Sequence, residues 1–135
     1  MSQQDNIAAQ TAFGEAVNSG VLAALVDVVA PGSIDHDPGP GQGPGPEGYQ
    51  AMFRDLRRAF PDLHVEVEHL VATDDELAFA YTITGTHRGE LAGHGPTGKP
   101  VRYRGMQISR FENGMLVERW GSSDELGMMR QLGLV

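Results

Sequence analysis

Apolar residues recur at helical spacing over the first twenty positions. Ala9, Phe13, Ala16 and Val17 share one face of a helix predicted from about Gln4 to Ser19, and Gly20 suits its end. A second short helix follows, with Asn18 or Ser19 as its cap. Leu22, Leu25, Val26 and Val29 form its buried side, and Pro31-Gly32 stops it. After Ser33-Ile34-Asp35-His36-Asp37 the periodicity lapses into Pro38-Gly39-Pro40-Gly41-Gln42-Gly43-Pro44-Gly45. Proline denies this run helical hydrogen bonds and glycine frees its backbone. The flexible Pro/Gly loop at 38–46 reads as a surface linker within one domain, or as a mobile flap over a pocket. Pro46 suits the start of a third helix, whose stripe is Tyr49, Met52, Phe53, Leu56 and Phe60. Arg54, Asp55, Arg57 and Arg58 fall mostly off that stripe and read as a solvated face.

From His64 the period changes to two. Val65, Val67, His69 and Val71 alternate with His64, Glu66, Glu68 and Leu70 over a strand predicted from His64 to Thr73. Thr73-Asp74-Asp75-Glu76 reads as a turn. Leu77 to His87 is the next strand, with Leu77, Phe79, Tyr81 and Ile83 on one face and Ala78, Ala80, Thr82 and Thr84 on the other. Residues 93–100 form a loop, and Val101 to Phe111 a third strand. Glu112-Asn113-Gly114 is a hairpin turn, because Asn-Gly accepts positive φ. Met115 to Ser122 is the fourth strand, and a helical stretch from Ser123 to Leu132 closes the chain. Helices first and antiparallel strands afterwards predict an α+β fold, with the helices packed on one face of a curved sheet.

Composition narrows the function. The 135 residues suit a single domain spanning 1–135. Eighteen acidic against ten basic residues give a net charge of −8, a field that repels nucleic acid and anionic membranes. No apolar run approaches the ~20 residues of a membrane span. The first residues carry no secretory pattern, which places the protein in the cytoplasm. The absence of cysteine excludes disulfides, thiolate nucleophiles and Cys-based zinc sites. His64, His69, His87 and His94 show no metal-ligand spacing, so no metal is expected. No dinucleotide fingerprint, phosphate loop or nucleophile elbow is present, and no cofactor is expected.

Several short motifs stand in order along the chain. They are Ala59-Phe60-Pro61-Asp62-Leu63, Gly85-Thr86-His87-Arg88-Gly89, Pro96-Thr97-Gly98-Lys99-Pro100-Val101, Arg110-Phe111-Glu112-Asn113-Gly114 and Val117-Glu118-Arg119-Trp120, followed by Asp124 and Gln131-Leu132-Gly133. In this register, from about Ile34 to Gly133, the sequence resembles the SnoaL-like polyketide cyclases of the NTF2-like superfamily. The resemblance implies an NTF2-like cone: three N-terminal helices over a strongly curved antiparallel β-sheet, with a deep pocket between. It also implies ring closure by intramolecular aldol condensation of an ester intermediate, without metal or cofactor, and a homodimer. The superfamily holds other activities too, so the fold does not fix the substrate.

Aldol closure needs an acid/base near neutral pKa and donors for the developing enolate. Asp124 matches the family's catalytic aspartate, although Ser122, Ser123 or Asp124 could equally cap the last helix. His36, flanked by Asp35 and Asp37, is the second catalytic candidate, or else an exposed loop histidine. Gln107 shares a strand face with Val101, Tyr103, Gly105 and Ser109, and is placed to orient a carbonyl. Arg102, Arg104 and Arg110 share the opposite, outer face with Met106 and Ile108. Trp120, Phe53, Phe60, His87 and Tyr103 complete the expected substrate-binding set, with core packing or turn structure as the plainer roles of Trp120 and His87. The expected ligand is a small apolar carbonyl-bearing molecule, and the expected function a cofactor-independent cyclase. An isomerase, dehydratase or hydrolase of the same fold, or a non-catalytic binding or dimerisation module, is the alternative.

Overall fold

A computed structural model describes residues 2–135. Helix α1 (Gln3–Ser19) opens on a capping box, in which Ser2 Oγ accepts from the Asp5 amide and Asp5 accepts from the Ser2 amide. It ends at Gly20 in the left-handed conformation, as the sequence suggests. A short 3-10 helix (Leu22–Asp27) follows, with no side-chain cap at its start. Leu25 and Val29 are buried as expected, but Val26 is 51 % exposed.

Pro31-Gly32 does not stop a helix. It lies inside strand β1 (Val29–Asp35), which sequence periodicity missed. The strand tolerates proline because it is an edge, with only one neighbour to bond. Helix α2 (Gly45–Ala59) is followed by β2 (His64–Ala72), β3 (Glu76–Thr86), β4 (Pro100–Glu112), β5 (Met115–Ser123) and α3 (Glu125–Gln131). The sheet order is β1-β5-β4-β3-β2. Its consecutive strands pair antiparallel, while β1 runs parallel to β5. The expected antiparallel sheet therefore carries one parallel pair, made by the longest return of the chain. Asn113 and Gly114 form the β4–β5 turn, both with positive φ.

The alternation predicted for β2 holds only for its first half. Val67 pairs with Tyr81 and His69 with Ala80, so Glu68 is an extra, bulged residue. One inserted residue moves every later side chain to the opposite face. Leu70 and Ala72 accordingly pack on the core, while Val71 is exposed. In β3, Leu77, Phe79, Tyr81 and Ile83 all face inward as expected.

The core lies between the helices and the inner face of the sheet, around Val17, Leu25, Tyr49, Phe60, Leu77 and Phe79. Two polar ties fix α1 over it. Asn18 exchanges two hydrogen bonds with the Val65 backbone. Arg57, expected on a solvated face, instead folds inward, and its Nη1 donates to the carbonyls of Val17, Asn18 and Leu63. A helix C-terminus presents unpaired carbonyls and partial negative charge, and Arg57 answers both. At the other end, Gln131 donates to and accepts from the Arg102 backbone and clips α3 onto β4. Among the described residues, no helix is long and apolar enough to cross a membrane.

Arg57→Met keeps most of the apolar stem and removes the donors; it should lower stability by about 1–3 kcal/mol, read as a fall in the urea midpoint. Asp62 accepts from the Thr86 amide at 2.7 Å and hydroxyl at 2.8 Å, and the amide bond foremost holds its carboxyl below the usual range. A lowered carboxyl contributes stability above the unfolded value of about 3.9 and loses it as pH falls through the folded value. Asp62→Asn should therefore lose less stability on acidification than the parent. Parallel pH slopes below about pH 4 would contradict this.

Candidate functional site

The inner-facing positions of β4 and β5 alternate with the outer ones and are polar where the two strands meet. Register pairs Ser109 with Arg119 and Gln107 with Gly121 on the inner face. It pairs Ile108 with Trp120 and Arg110 with Glu118 on the outer face. Arg119 is the centre of the inner group. Its Nε donates to Gln107 Oε1 at 3.0 Å, and its Nη1 lies 3.1 and 3.2 Å from the two oxygens of Asp35. The Arg119 side chain is 15 % exposed and that of Asp35 only 4 %.

Each partner is held from behind. Gln107 Nε2 donates to Ser109 Oγ, which is fully buried. Asp35 accepts from the Asp37 amide and from Gln42 Nε2. Gln42 belongs to the Pro/Gly run, and its own Oε1 accepts from the Gly39 amide, so this stretch is tied to the site carboxylate. The surface-linker reading leaves that tie out.

Arg119 also reaches an open cleft of about 330 Å³, lined with Asp37, Pro38, Gly121, Ser122, Ser123 and Glu125. Nη2 makes none of the bonds to Asp35 or Gln107. It lies over Gly121, where a Cβ would stand 2.5 Å from it. Gly105, diagonally across on β4, does the same for the Tyr81 phenol, whose oxygen and ring edge occupy the space of a side chain there. Two glycines thus make a floor on which a guanidinium and a phenol meet. Burial holds the Tyr81 phenol above its ordinary pKa, with the Arg119 charge opposing. Burial and the nearby Glu125 charge push Tyr103 further up. Both phenols are donors at neutral pH. Asp37 Oδ2 accepts from the Gly121 amide at 2.9 Å, which sets this exposed carboxylate at the same glycine as Nη2.

The expected site residues divide. Gln107 is in the site, but it acts on Arg119 and Ser109. Tyr103 is buried, near enough to Tyr81 and Glu125 to feel both. The others lie elsewhere. Asp124 is exposed and has a cap's geometry, its Oδ1 accepting from the Gly127 amide at 2.8 Å. His36 points to the outer face, stacked on Trp120 with centroids 4.7 Å apart and planes 9° apart. Its Nε2 donates to Glu118 at 2.8 Å. That bond, with Arg110, holds the Glu118 carboxyl below its usual range. Trp120, 36 % exposed, lies outside both the cleft lining and the core. Phe60 is fully buried against Gly85 and His87, and Phe53 is half-buried against Phe13. His87 is fully buried in the β3–β4 connection, where Nδ1 accepts from the Thr97 amide. Among the described residues no cluster of His, Asp and Glu could hold a metal ion.

The sequence reading did not single out Asp35, Asp37, Arg119 or Tyr81, which the structure brings together around Gly121 and Gly105. A signal was present: placing Glu118 and Trp120 on one face of β5 puts Arg119 and Gly121 on the other.

The family profile described as SnoaL-like polyketide cyclase matches residues 7–132. No curated protein matches the sequence. IdmH of Streptomyces antibioticus, described as a candidate polyketide cyclase, is 32 % identical, with TM-score 0.83 over 95 % of this chain and 98 % of that one. AclR of Streptomyces galilaeus, described as a candidate hydroxylase, is 26 % identical, with TM-score 0.85 over 99 % of both chains. TsrD of Streptomyces laurentii has TM-score 0.91 over 100 % of this chain and 99 % of that one, at 24 % identity, a likeness of fold alone.

Gly121→Ala tests the glycine floor. The added methyl should drive the Arg119 guanidinium off its partners and shift or broaden the Arg119 Nε–H resonance, with a loss of about 1–3 kcal/mol. An unmoved resonance would show that the guanidinium has room to spare.

Proposed function

The chain belongs to the SnoaL-like polyketide cyclase family, and from that premise we propose that it is a cofactor-independent acid/base enzyme acting on a small carbonyl-bearing substrate. One observation carries the reading: Arg119 is locked on two sides by Asp35 and Gln107 and turns its remaining nitrogen onto the floor of the cleft. A guanidinium fixed in this way offers a donor to a carbonyl oxygen without reorganising as charge develops.

The two aspartates take different roles because their surroundings differ. Asp35, enclosed and accepting several hydrogen bonds, holds the guanidinium. Asp37, exposed on the cleft wall, keeps an oxygen free for a proton. A carbonyl set against Arg119 Nη2 and the Tyr81 hydroxyl would present its α-carbon near Asp37. The proton passes from that carbon to the Asp37 carboxylate, and the electron pair moves into the enolate held by Arg119 and Tyr81. In ring closure the enolate carbon then bonds to a second carbonyl carbon of the same molecule. The proton on Asp37 goes to the alkoxide so formed. Isomerisation or dehydration would begin with the same proton removal.

The outer face supports a homodimer. Met106, Ile108 and Trp120 are exposed there beside Arg102 and Arg104, a partly apolar surface suited to a second copy.

Deuterium uptake at the α-carbon of ethyl benzoylacetate, followed by NMR, tests proton abstraction without requiring ring closure. The protein should raise the rate above buffer, and Arg119→Gln or Asp37→Asn should reduce that gain by about 10²-fold or more. If the parent gives only the buffer rate while the ester still binds, the chain is a ligand-binding module of the same fold.

A further inference from the structure

Strand β1 is an edge, and its pairing with β5 is irregular between Val29 and Ile34. Register is regained at its end, where Ile34 faces Glu118 and Asp35 faces Arg119. Asp37, the proton acceptor proposed above, lies two residues past the strand. Among the described residues its carboxylate has one hydrogen bond to the sheet, from the Gly121 amide. Whatever holds this short segment against β5 therefore decides where the carboxylate stands.

His36 lies between the two aspartates and is gripped from the other side of the sheet. Its amide donates to the Arg119 carbonyl at 2.8 Å, which carries the backbone pairing one residue past the strand. Alternation then sends Asp35 and Asp37 inward and the imidazole outward. There the ring lies flat on Trp120, and its Nε2 donates to Glu118 Oε2 at 2.8 Å. The other Glu118 oxygen is taken by Arg110, through Nε at 2.8 Å and Nη2 at 2.6 Å, and Arg110 Nη1 reaches Glu112 at 2.7 Å. An exposed ion pair alone fixes little, because holding two long side chains in one geometry costs entropy. Here the imidazole is fixed twice, by the plane of the indole and by a carboxylate that is itself held.

Three successive residues at the end of β1 are thus held by four successive residues of β5. Arg119 holds Asp35, Glu118 and Trp120 hold His36, and Gly121 holds Asp37. Resting on the function proposed above, we infer that the His36–Trp120–Glu118 cluster is a positioning device for the site on the opposite face of the sheet. It sets where the end of β1 lies against β5, and so where the Asp37 carboxylate stands relative to Gly121 and the Arg119 guanidinium. His36 is a positioning residue: it touches no substrate and acts through Asp37. A displacement of about 1 Å between reacting groups loses on the order of 10²-fold in rate, so an anchor on the outer face has leverage over the chemistry inside.

The test uses His36→Ala, which removes the stack and the hydrogen bond, and Trp120→Leu, which removes the stack from the β5 side. Should His36→Ala fail to fold, Trp120→Leu carries the same readings. Both are read well below their melting transitions. Hydrogen exchange of the Gly121 amide should quicken about 10-fold or more in each variant, while amides of β3, two strands away from β5, keep their protection. Deuterium uptake by ethyl benzoylacetate at saturation should fall about 10-fold or more. KM should change little, because Arg119 and Tyr81 still hold the carbonyl. In an Asp37→Asn background, either substitution should lower the rate no further. Additive losses would show that the cluster acts otherwise than through Asp37 and would overturn the inference. So would unchanged Gly121 protection, even beside a lower melting temperature, which would mark a support of the fold alone. If the parent gives only the buffer rate, the catalytic reading fails by itself, and Gly121 protection still decides whether the outer cluster positions Asp37.

Discussion

Asp35 and Arg119 are 84 residues apart in sequence and meet across the one parallel strand pair of the sheet. Taking two charges out of water costs several kcal/mol per ion even after relaxation, and direct attraction recovers this only with good geometry and further hydrogen bonds. The structure supplies both. Gln107 accepts from the guanidinium, while Gln42 and the Asp37 amide donate to the carboxylate. Deleting one partner would leave a poorly paired charge, the costlier failure. An apolar pair often folds as well, so stability alone is a weak reason for charges here. The function proposed above, which needs a rigid guanidinium, supplies one.

The remaining geometry follows from making room for that pair. Strands β4 and β5 carry glycine at two inner positions where any side chain would collide with Tyr81 or Arg119. Helix α2 enters over the pair through Tyr49, and the Pro/Gly run is tied down by Gln42. The same strands present a different chemistry outward. His36 lies between Asp35 and Asp37 in sequence, yet its ring stacks on Trp120 on the far side of the sheet. Strand alternation separates neighbouring residues by a whole layer.

Asp124 illustrates how position and role diverge. A carboxylate just before a helix meets unpaired amide donors at once, and the Gly127 amide takes it. The neighbouring Glu125 lines the cleft, whereas the carboxylates bound to the Arg119 guanidinium and the Gly121 amide come from residues 35 and 37. Asp37 is held by the Gly121 amide, and Asp35 by the guanidinium of Arg119, its register partner on β5.

Local periodicity alone carried α1, α2, β3, β4 and the Asn113-Gly114 hairpin, because each is specified by residues within a turn or two of one another. The motifs in register brought the family and hence the cone. Three features were out of reach of local pattern. Strand β1 looks like a helix stop, because Pro31 is tolerated only at a sheet edge, and edge position is a property of the whole sheet. The bulge at Glu68 reverses the second half of β2, and nothing local marks an inserted residue until its partner strand is in place. Trp120 looks like core until β5 is paired, when it falls on the outer face opposite Ile108. The sequence by itself determined the helices and strands other than β1, and which family they build. Only the tertiary structure decided which of its aspartates, arginines and hydroxyls share a site, because that depends on strand register and on which face each residue presents, and both are set by contacts between segments far apart in the chain.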